Sequence, residues 1–99
     1  MQTILVKDIL NVTSGRLIYG AESRVIRQFS LDSRTIKPQD MFIAVKGKRF
    51  DGHRFLGEAV KKGASGLICE ERYVFTEPLL HLLNGRLNKG LIIIKVRNT

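Results

Sequence analysis

The run Val45-Lys46-Gly47-Lys48-Arg49-Phe50-Asp51-Gly52-His53-Arg54-Phe55 gathers five cationic or potentially cationic side chains, two glycines, one carboxylate and two aromatics into eleven residues. Three kinds of chemistry use such a set: a phosphate-binding turn, a nucleic-acid patch, or a metal or catalytic site built on His53. A second polar run, Asp32-Ser33-Arg34, lies upstream. Together the two runs could serve a diphosphate, which needs several donors and a positive field. Ser33 offers a hydroxyl, Arg34, Lys48 and Arg49 offer charge-assisted donors, and Gly47 lets backbone N–H groups come close to an oxygen. A helix starting near His53 would add its partial positive charge.

The rival chemistries find less support. His53 has only Asp51 near it, and neither a second His nor a Cys pair falls at metal-ligand spacing, so no metal ligand is assigned. Ser33, His53 and an Asp lack the G-x-S-x-G elbow that would present a nucleophile, so no catalytic residue is assigned. Neither G-x-x-x-x-G-K-[ST] nor G-x-G-x-x-G occurs, and nothing points to ATP hydrolysis or dinucleotide binding. A small basic nucleic-acid module stays open on charge. Phe29, Phe42 and Phe55 read as core, which leaves few aromatics for a stacking platform. His81 lies among leucines and reads as structural.

The elements that must hold these loops follow from periodicity. Val6, Ile9 and Leu10 have helical spacing, and Gly15 is placed to stop a short helix. Leu17 to Tyr19 and Val25 to Leu31 read as strands, the second with Val25, Phe29 and Leu31 on one face. Lys37-Pro38-Gln39-Asp40 is a turn signal. Met41 to Val45 is apolar on both faces, as a strand covered on both sides would be. Arg54 to Lys62 reads as a helix with Phe55, Leu56, Ala59 and Val60 on one stripe, Asp51 as N-cap, Glu58 and Lys62 as an i,i+4 pair and Gly63 as C-terminal cap. Gly57 inside it costs about 1 kcal/mol relative to Ala, which suggests close packing there. Gly66 to Cys69 is a buried strand, Leu79 to Leu83 a short helix ended by Asn84-Gly85, and Leu91 to Val96 a buried strand. This rhythm predicts an α/β fold, a small, largely parallel or mixed sheet flanked by helices. The two polar runs then leave strands at their carboxyl ends, where such sheets bind ligands.

Composition sets the bounds. With 99 residues, 43% apolar and 26% charged, the chain suits one small folded domain rather than a disordered segment. No apolar run reaches the roughly 18 residues of a membrane span, and the N-terminus lacks a signal-peptide pattern, so no membrane partner is expected. Cys69 is the sole cysteine, which excludes an internal disulfide and fits a reducing cytoplasm. Its apolar neighbours mark it as a core residue. Lys and Arg number 17 against 9 Asp and Glu, a net charge of +8. No acidic residue follows Glu77, while Arg86, Lys89, Lys95 and Arg97 do. Such an excess attracts polyanions without specifying which.

The ordered set Leu31-Asp32-Ser33-Arg34, Ile36-Lys37-Pro38-x-Asp40-Met41-Phe42-Ile43-Ala44-Val45-Lys46-Gly47, Arg49-Phe50-Asp51-Gly52-His53-x-Phe55 and Ala59-Val60-Lys61-Lys62-Gly63-Ala64 resembles the N-terminal domain of the Mur ligases. These ATP-dependent ligases build the peptide stem of bacterial peptidoglycan. Within the family, G-x-R-F-D-G-H most resembles the ligase that adds D-alanyl-D-alanine to the UDP-N-acetylmuramoyl-tripeptide. The runner-up is the ligase adding the third stem residue, meso-diaminopimelate or lysine.

The resemblance implies a three-domain cytoplasmic enzyme whose first domain, residues 1–99 here, holds the uridine diphosphate of a UDP-N-acetylmuramoyl-peptide. ATP and magnesium belong to the central domain and the incoming amino acid or dipeptide to the third, so this domain is expected to hold no cofactor. The chain ends where the linker into the ATP domain would begin, and by itself it is expected to be inactive. The resemblance places Leu31, Ser33, Arg34, Gly47, Lys48, Arg49 and Phe50 at the nucleotide. Ser33 would face the diphosphate and Lys48-Arg49-Phe50 the uracil. Asp51, Gly52 and His53 would shape the turn and start the helix. Two departures stand out. Gln39 occupies a position where the family has Gly, so a type I turn is expected there unless strain is accepted. Tyr73 to Lys89 is longer and more basic than the family pattern, and it is given no function.

Overall fold

In the computed structural model, which describes residues 3–46, 51–87 and 89–97, the chain runs β1 (Ile4–Leu5), α1 (Val6–Thr13), β2 (Arg16–Tyr19), β3 (Val25–Ile26), β4 (Phe29–Ser30), β5 (Met41–Ile43), a 3₁₀ turn (Gly52–Phe55), α2 (Leu56–Lys61), β6 (Gly66–Glu70), α3 (Glu77–Leu87) and β7 (Ile92–Val96). A five-stranded sheet has the order β2-β7-β6-β5-β4. Its β4–β5, β5–β6 and β6–β7 pairs are parallel, and β2 closes the β7 edge antiparallel. β1 and β3 form a separate antiparallel pair.

The apolar runs form central strands because both sheet faces are covered. Residues alternate between two cores. Phe42, Leu67, Cys69 and Ile93 join Leu56, Ala59 and Val60 of α2 and Leu79 and Leu83 of α3. Met41, Ile68, Ile92 and Ile94 join Val6 and Ile9 of α1. The expected buried strands and the helical stripe at 6, 9 and 10 are therefore found. Cys69 is fully buried, and desolvation pushes its thiol up to about 11, which makes it inert as a nucleophile. α1 ends one residue earlier than Gly15, at Ser14 with φ 55.

Other expectations are corrected. Val25 to Leu31 is not one strand: its first half pairs with β1 and its second with β5. Its faces are also reversed. Val25, Phe29 and Leu31 are 46%, 41% and 60% exposed, whereas Ile26 is 1% exposed. The cause is position, since β4 is an edge strand and Ile26 alone turns under α1. The Leu79–Leu83 helix is longer, Glu77–Leu87, and runs through Asn84-Gly85. Leu79 and Leu83 anchor its inner face in the core, while Gly85 faces open space, where a Cβ would meet nothing within 4 Å. His81 is on the exposed face of that helix rather than among its buried leucines. The predicted helix from Arg54 starts as the 3₁₀ turn at Gly52 and becomes α-helical at Leu56. Gly57 faces α3 as expected, since a Cβ there would lie 3.3 Å from Leu82 Cδ1.

The Lys37–Asp40 turn is type II. The Asp40 N–H donates to Lys37 O at 3.0 Å, and Gln39 takes φ 79. The strain is tolerated because neighbours fix the turn: the Gln39 N–H donates to Gly63 O at 2.9 Å and Asp40 Oδ2 accepts from the Lys37 N–H at 3.0 Å. A non-glycine residue there costs about 1–3 kcal/mol, and glycine gives back part of the gain as unfolded-state entropy. Gln39→Gly should therefore raise unfolding free energy by about 1 kcal/mol, read as a higher denaturant midpoint at unchanged m-value.

Candidate functional site

The Leu31–Arg34 loop leaves β4 at the carboxyl edge of the sheet and is fixed by its own polar atoms. The Ser30 hydroxyl donates to Asp32 O and accepts from the Asp32 N–H, at 3.0 and 3.2 Å. Asp32 Oδ1 accepts from the Arg34 N–H at 2.8 Å, and the Arg34 guanidinium grips both carboxylate oxygens at 3.1 and 2.9 Å. From α2, Lys62 Nζ donates to Ser33 O at 2.8 Å and Arg34 O at 3.4 Å while pairing with Glu58 at 3.1 Å. Lys62 thus ties the loop to the helix. The predicted Glu58–Lys62 pair exists, but its wider purpose was invisible in the spacing.

Leu31, Asp32, Ser33, Arg34 and Phe55 line a cleft of about 500 Å³. Ser33 is 5% exposed, and its hydroxyl has no partner among the described residues. Arg34 projects into solvent, with part of its donor fork already spent on Asp32. The structure thus brings Leu31, Ser33 and Arg34 together with Phe55, a wall residue that the sequence reading had assigned to core. Gly47, Lys48, Arg49 and Phe50 lie outside the described residues.

The residues on either side of 47–50 are joined to one another. Lys46 and Asp51 form an antiparallel bridge, and the Gly52 N–H donates to Val45 O at 2.7 Å. A Cβ on Gly52 would lie 2.8 Å from Val45 N, so only glycine fits that approach. Asp51 caps the turn as expected, its Oδ1 accepting from the His53 N–H at 3.0 Å. His53 is 3% exposed, and both ring nitrogens are used: Nδ1 meets Asp51 Oδ1 at 2.7 Å and Nε2 meets the Glu70 N–H at 2.9 Å. Because the amide can only donate, Nε2 accepts and the proton sits on Nδ1. A histidine whose free lone pair is filled by backbone cannot take a proton from a substrate. Its work is to join the 51–53 turn to the end of β6, with Tyr73 packed against its ring at a centroid distance of 5.0 Å. Tyr73 belongs to the stretch given no function, and a non-local ring contact leaves no local signal.

These loops and strands fall within one family pattern. The model described as "Mur ligase family, catalytic domain" matches residues 25–83, more than half of the chain. The chain belongs to the Mur ligase family. Among named relatives, the UDP-N-acetylmuramoyl-L-alanyl-D-glutamate–2,6-diaminopimelate ligase of Clostridium perfringens is 33% identical over 96 residues, 97% of this chain and 17% of the relative. The UDP-N-acetylmuramoyl-tripeptide–D-alanyl-D-alanine ligase of Treponema pallidum is 46% identical over 44 residues, 44% of this chain and 10% of the relative. A crystal structure of MurF from Acinetobacter baumannii superposes with TM-score 0.73 at 23% identity, over 99% of this chain and 19% of that one. At that identity the likeness speaks for the fold, a mixed α/β Mur ligase domain as the sequence resemblance implied. This Mur ligase chain spans under a fifth of the length of these relatives.

Hydrogen bonds from the His53 N–H and ring hold the Asp51 carboxyl below its ordinary 3.8, and the Arg34 side chain and N–H do the same for Asp32. A depressed carboxyl pKa adds stability that is complete above the unfolded value and lost as pH falls through the folded one. Asp51→Asn should therefore flatten the fall of stability below about pH 4 in acid titrations followed by circular dichroism. His53→Ala, which strands the Glu70 N–H and removes the ring between the turn and β6, should cost about 3 kcal/mol at neutral pH.

Proposed function

We propose that this chain holds the uridine diphosphate end of a UDP-N-acetylmuramoyl-peptide during ATP-dependent amide ligation in cytoplasmic peptidoglycan synthesis. The observation that carries the reading is the cleft at the carboxyl edge, where the free Ser33 hydroxyl, the Arg34 cation and the apolar Leu31 and Phe55 converge. Ser33 and its neighbouring backbone serve the diphosphate. Gly47, Lys48, Arg49 and Phe50 join the set on sequence grounds, with Lys48-Arg49-Phe50 at the uracil. Lys62 is a positioning residue that acts through the two loop carbonyls it binds. Binding rather than catalysis is supported by the way the reactive groups are spent: His53 on Asp51 and Glu70, Asp32 on Arg34, Glu58 on Lys62.

Among the described residues no group of three or more His, Cys, Asp or Glu could hold a metal ion. On the family resemblance, ATP and magnesium are assigned to other domains of the ligase, and this chain alone is expected to make no amide bond. No helix among the described residues is long and apolar enough to cross a membrane.

For the acceptor, the Arg49-Phe50-Asp51-Gly52-His53 run favours the ligase that adds D-alanyl-D-alanine. A second reading, addition of the third stem residue, is favoured by the 33% identity shared with a diaminopimelate ligase over 97% of this chain. The complete ligase, offered the UDP-muramoyl-tripeptide with D-Ala-D-Ala or the dipeptide with diaminopimelate, separates the two by which pair it joins.

Titration of the chain with UDP should give saturable amide shifts confined to 31–34 and 47–53. Lys62→Met should weaken UDP binding about tenfold, by loosening the loop, while changing the unfolding free energy by less than about 1 kcal/mol. Binding of a short oligonucleotide with a steep salt slope, and no response to UDP, would favour a nucleic-acid module instead.

A further inference from the structure

The amino ends of β6 and β7, on the side of the sheet away from the 31–34 loop, hold a second polar recess that the proposed function does not use. It is an open recess of about 110 Å³, below the roughly 300 Å³ where ordinary small-molecule pockets begin, which is room for a small ion or the end group of a larger molecule. Its walls carry Arg24, Gln39, Ser65, Arg86, Lys89 and Gly90, and no carboxylate of the described residues lines it. Arg24 Nη1 donates to Gly90 O at 2.5 Å, which fixes the guanidinium at the recess and leaves its other N–H groups available. Arg86 and Lys89 make no ion pair or side-chain hydrogen bond among the described residues. Asp40 lines the neighbouring depression rather than this one, and its carboxylate accepts from the Lys37 N–H.

The alternative explanation is that Arg86 and Lys89 merely complement the negative carboxyl end of α3. That covers these two side chains. It leaves out Arg24, which arrives from a loop 66 residues before Gly90. It also leaves out Ser65, whose Oγ is shut off from solvent and has no hydrogen-bond partner among the described residues. A buried hydroxyl without a partner costs free energy unless something meets it. Two guanidiniums, an ammonium and an amide line one small space, with an unpaired hydroxyl at its wall, and these are the donor types that a tetrahedral oxyanion takes.

We propose that this recess is an oxyanion site that binds a phosphate group, with Arg24, Arg86 and Lys89 supplying charge and Ser65 a neutral hydrogen bond once its hydroxyl, shut off from solvent in the empty recess, turns toward the ion. The adjoining depression, lined by Arg24, Arg27, Gln28 and Gln39 among others, leaves room for the remainder of a phosphate ester. Orthophosphate and a phosphate monoester share the chemistry, and the test separates them.

The chain is titrated with sodium phosphate, and separately with glycerol phosphate, at constant ionic strength while amide shifts are followed. Saturable shifts confined to residues 63–65 and 89–91, with 31–34 unmoved and no competition from UDP, are expected. Tighter binding of the ester identifies an ester-linked ligand, and tighter binding of orthophosphate the free ion. The double variant R86Q/K89Q should weaken binding at least about tenfold. Ser65→Ala should leave the unliganded chain as stable as before or more so, since it removes an unpaired buried hydroxyl, yet lower phosphate affinity severalfold. Shifts that never saturate, or that persist at full affinity in R86Q/K89Q, overturn the proposal. Loss of stability in Ser65→Ala with unchanged phosphate affinity would assign the hydroxyl to the fold and overturn its part in the site.

Discussion

Everything in this molecule hangs on the two-sided burial of three adjacent parallel strands. Met41 and Phe42, Leu67 and Ile68, and Ile92, Ile93 and Ile94 point alternately to opposite cores. A one-residue slip in any of these strands would swap its contributions to α1 and to the α2–α3 layer. The register is therefore held by packing on both faces. The loop ends inherit that fixity, because residues 31–34 and 44–46 leave strands whose carboxyl ends cannot shift relative to one another.

The loops are then joined by polar contacts between segments far apart in sequence. His53 links the turn after β5 to the last residue of β6 through the Glu70 N–H, and Lys62 links α2 to the turn after β4. Both side chains first suggest chemistry, a buried His–Asp pair and a lysine beside a proposed phosphate site. Both are instead fasteners with their reactive positions occupied. The cleft gains rigidity from them, and the groups left available are the Ser33 hydroxyl and the outward Arg34.

Sequence periodicity revealed those parts of the fold whose burial is strong and local. The apolar runs at 41–45, 66–69 and 91–96, the stripe at 56, 59 and 60 and the Asp51 cap each carry their own pattern, and each is found. Val25 to Leu31 was misread because alternation says which residues share a face, not whether anything covers that face. At the sheet edge little covers Phe29 and Leu31. Gln39 was misread because the turn's strain is offset by bonds to Gly63 and Lys37, only one of which is local. Of the proposed nucleotide residues, Leu31, Ser33 and Arg34 do meet around one cleft. The contributions of Phe55, Lys62 and Tyr73 depend on contacts across 20 to 29 residues and were not legible beforehand.

The strand order carries a further consequence for how the chain comes to be. β7 is the last element in sequence yet lies second in the sheet, inserted between β2 and β6. Arg16 stands opposite Lys95, and Gly66 beside Ile92. During synthesis, β2 and β6 must therefore wait with open edges until residues 92–96 leave the ribosome. Contacts closing so long a loop form slowly and expose sticky edges meanwhile. The final strand acts as a keystone, and assembly from the N-terminus leaves a gap in the middle of the sheet until it arrives.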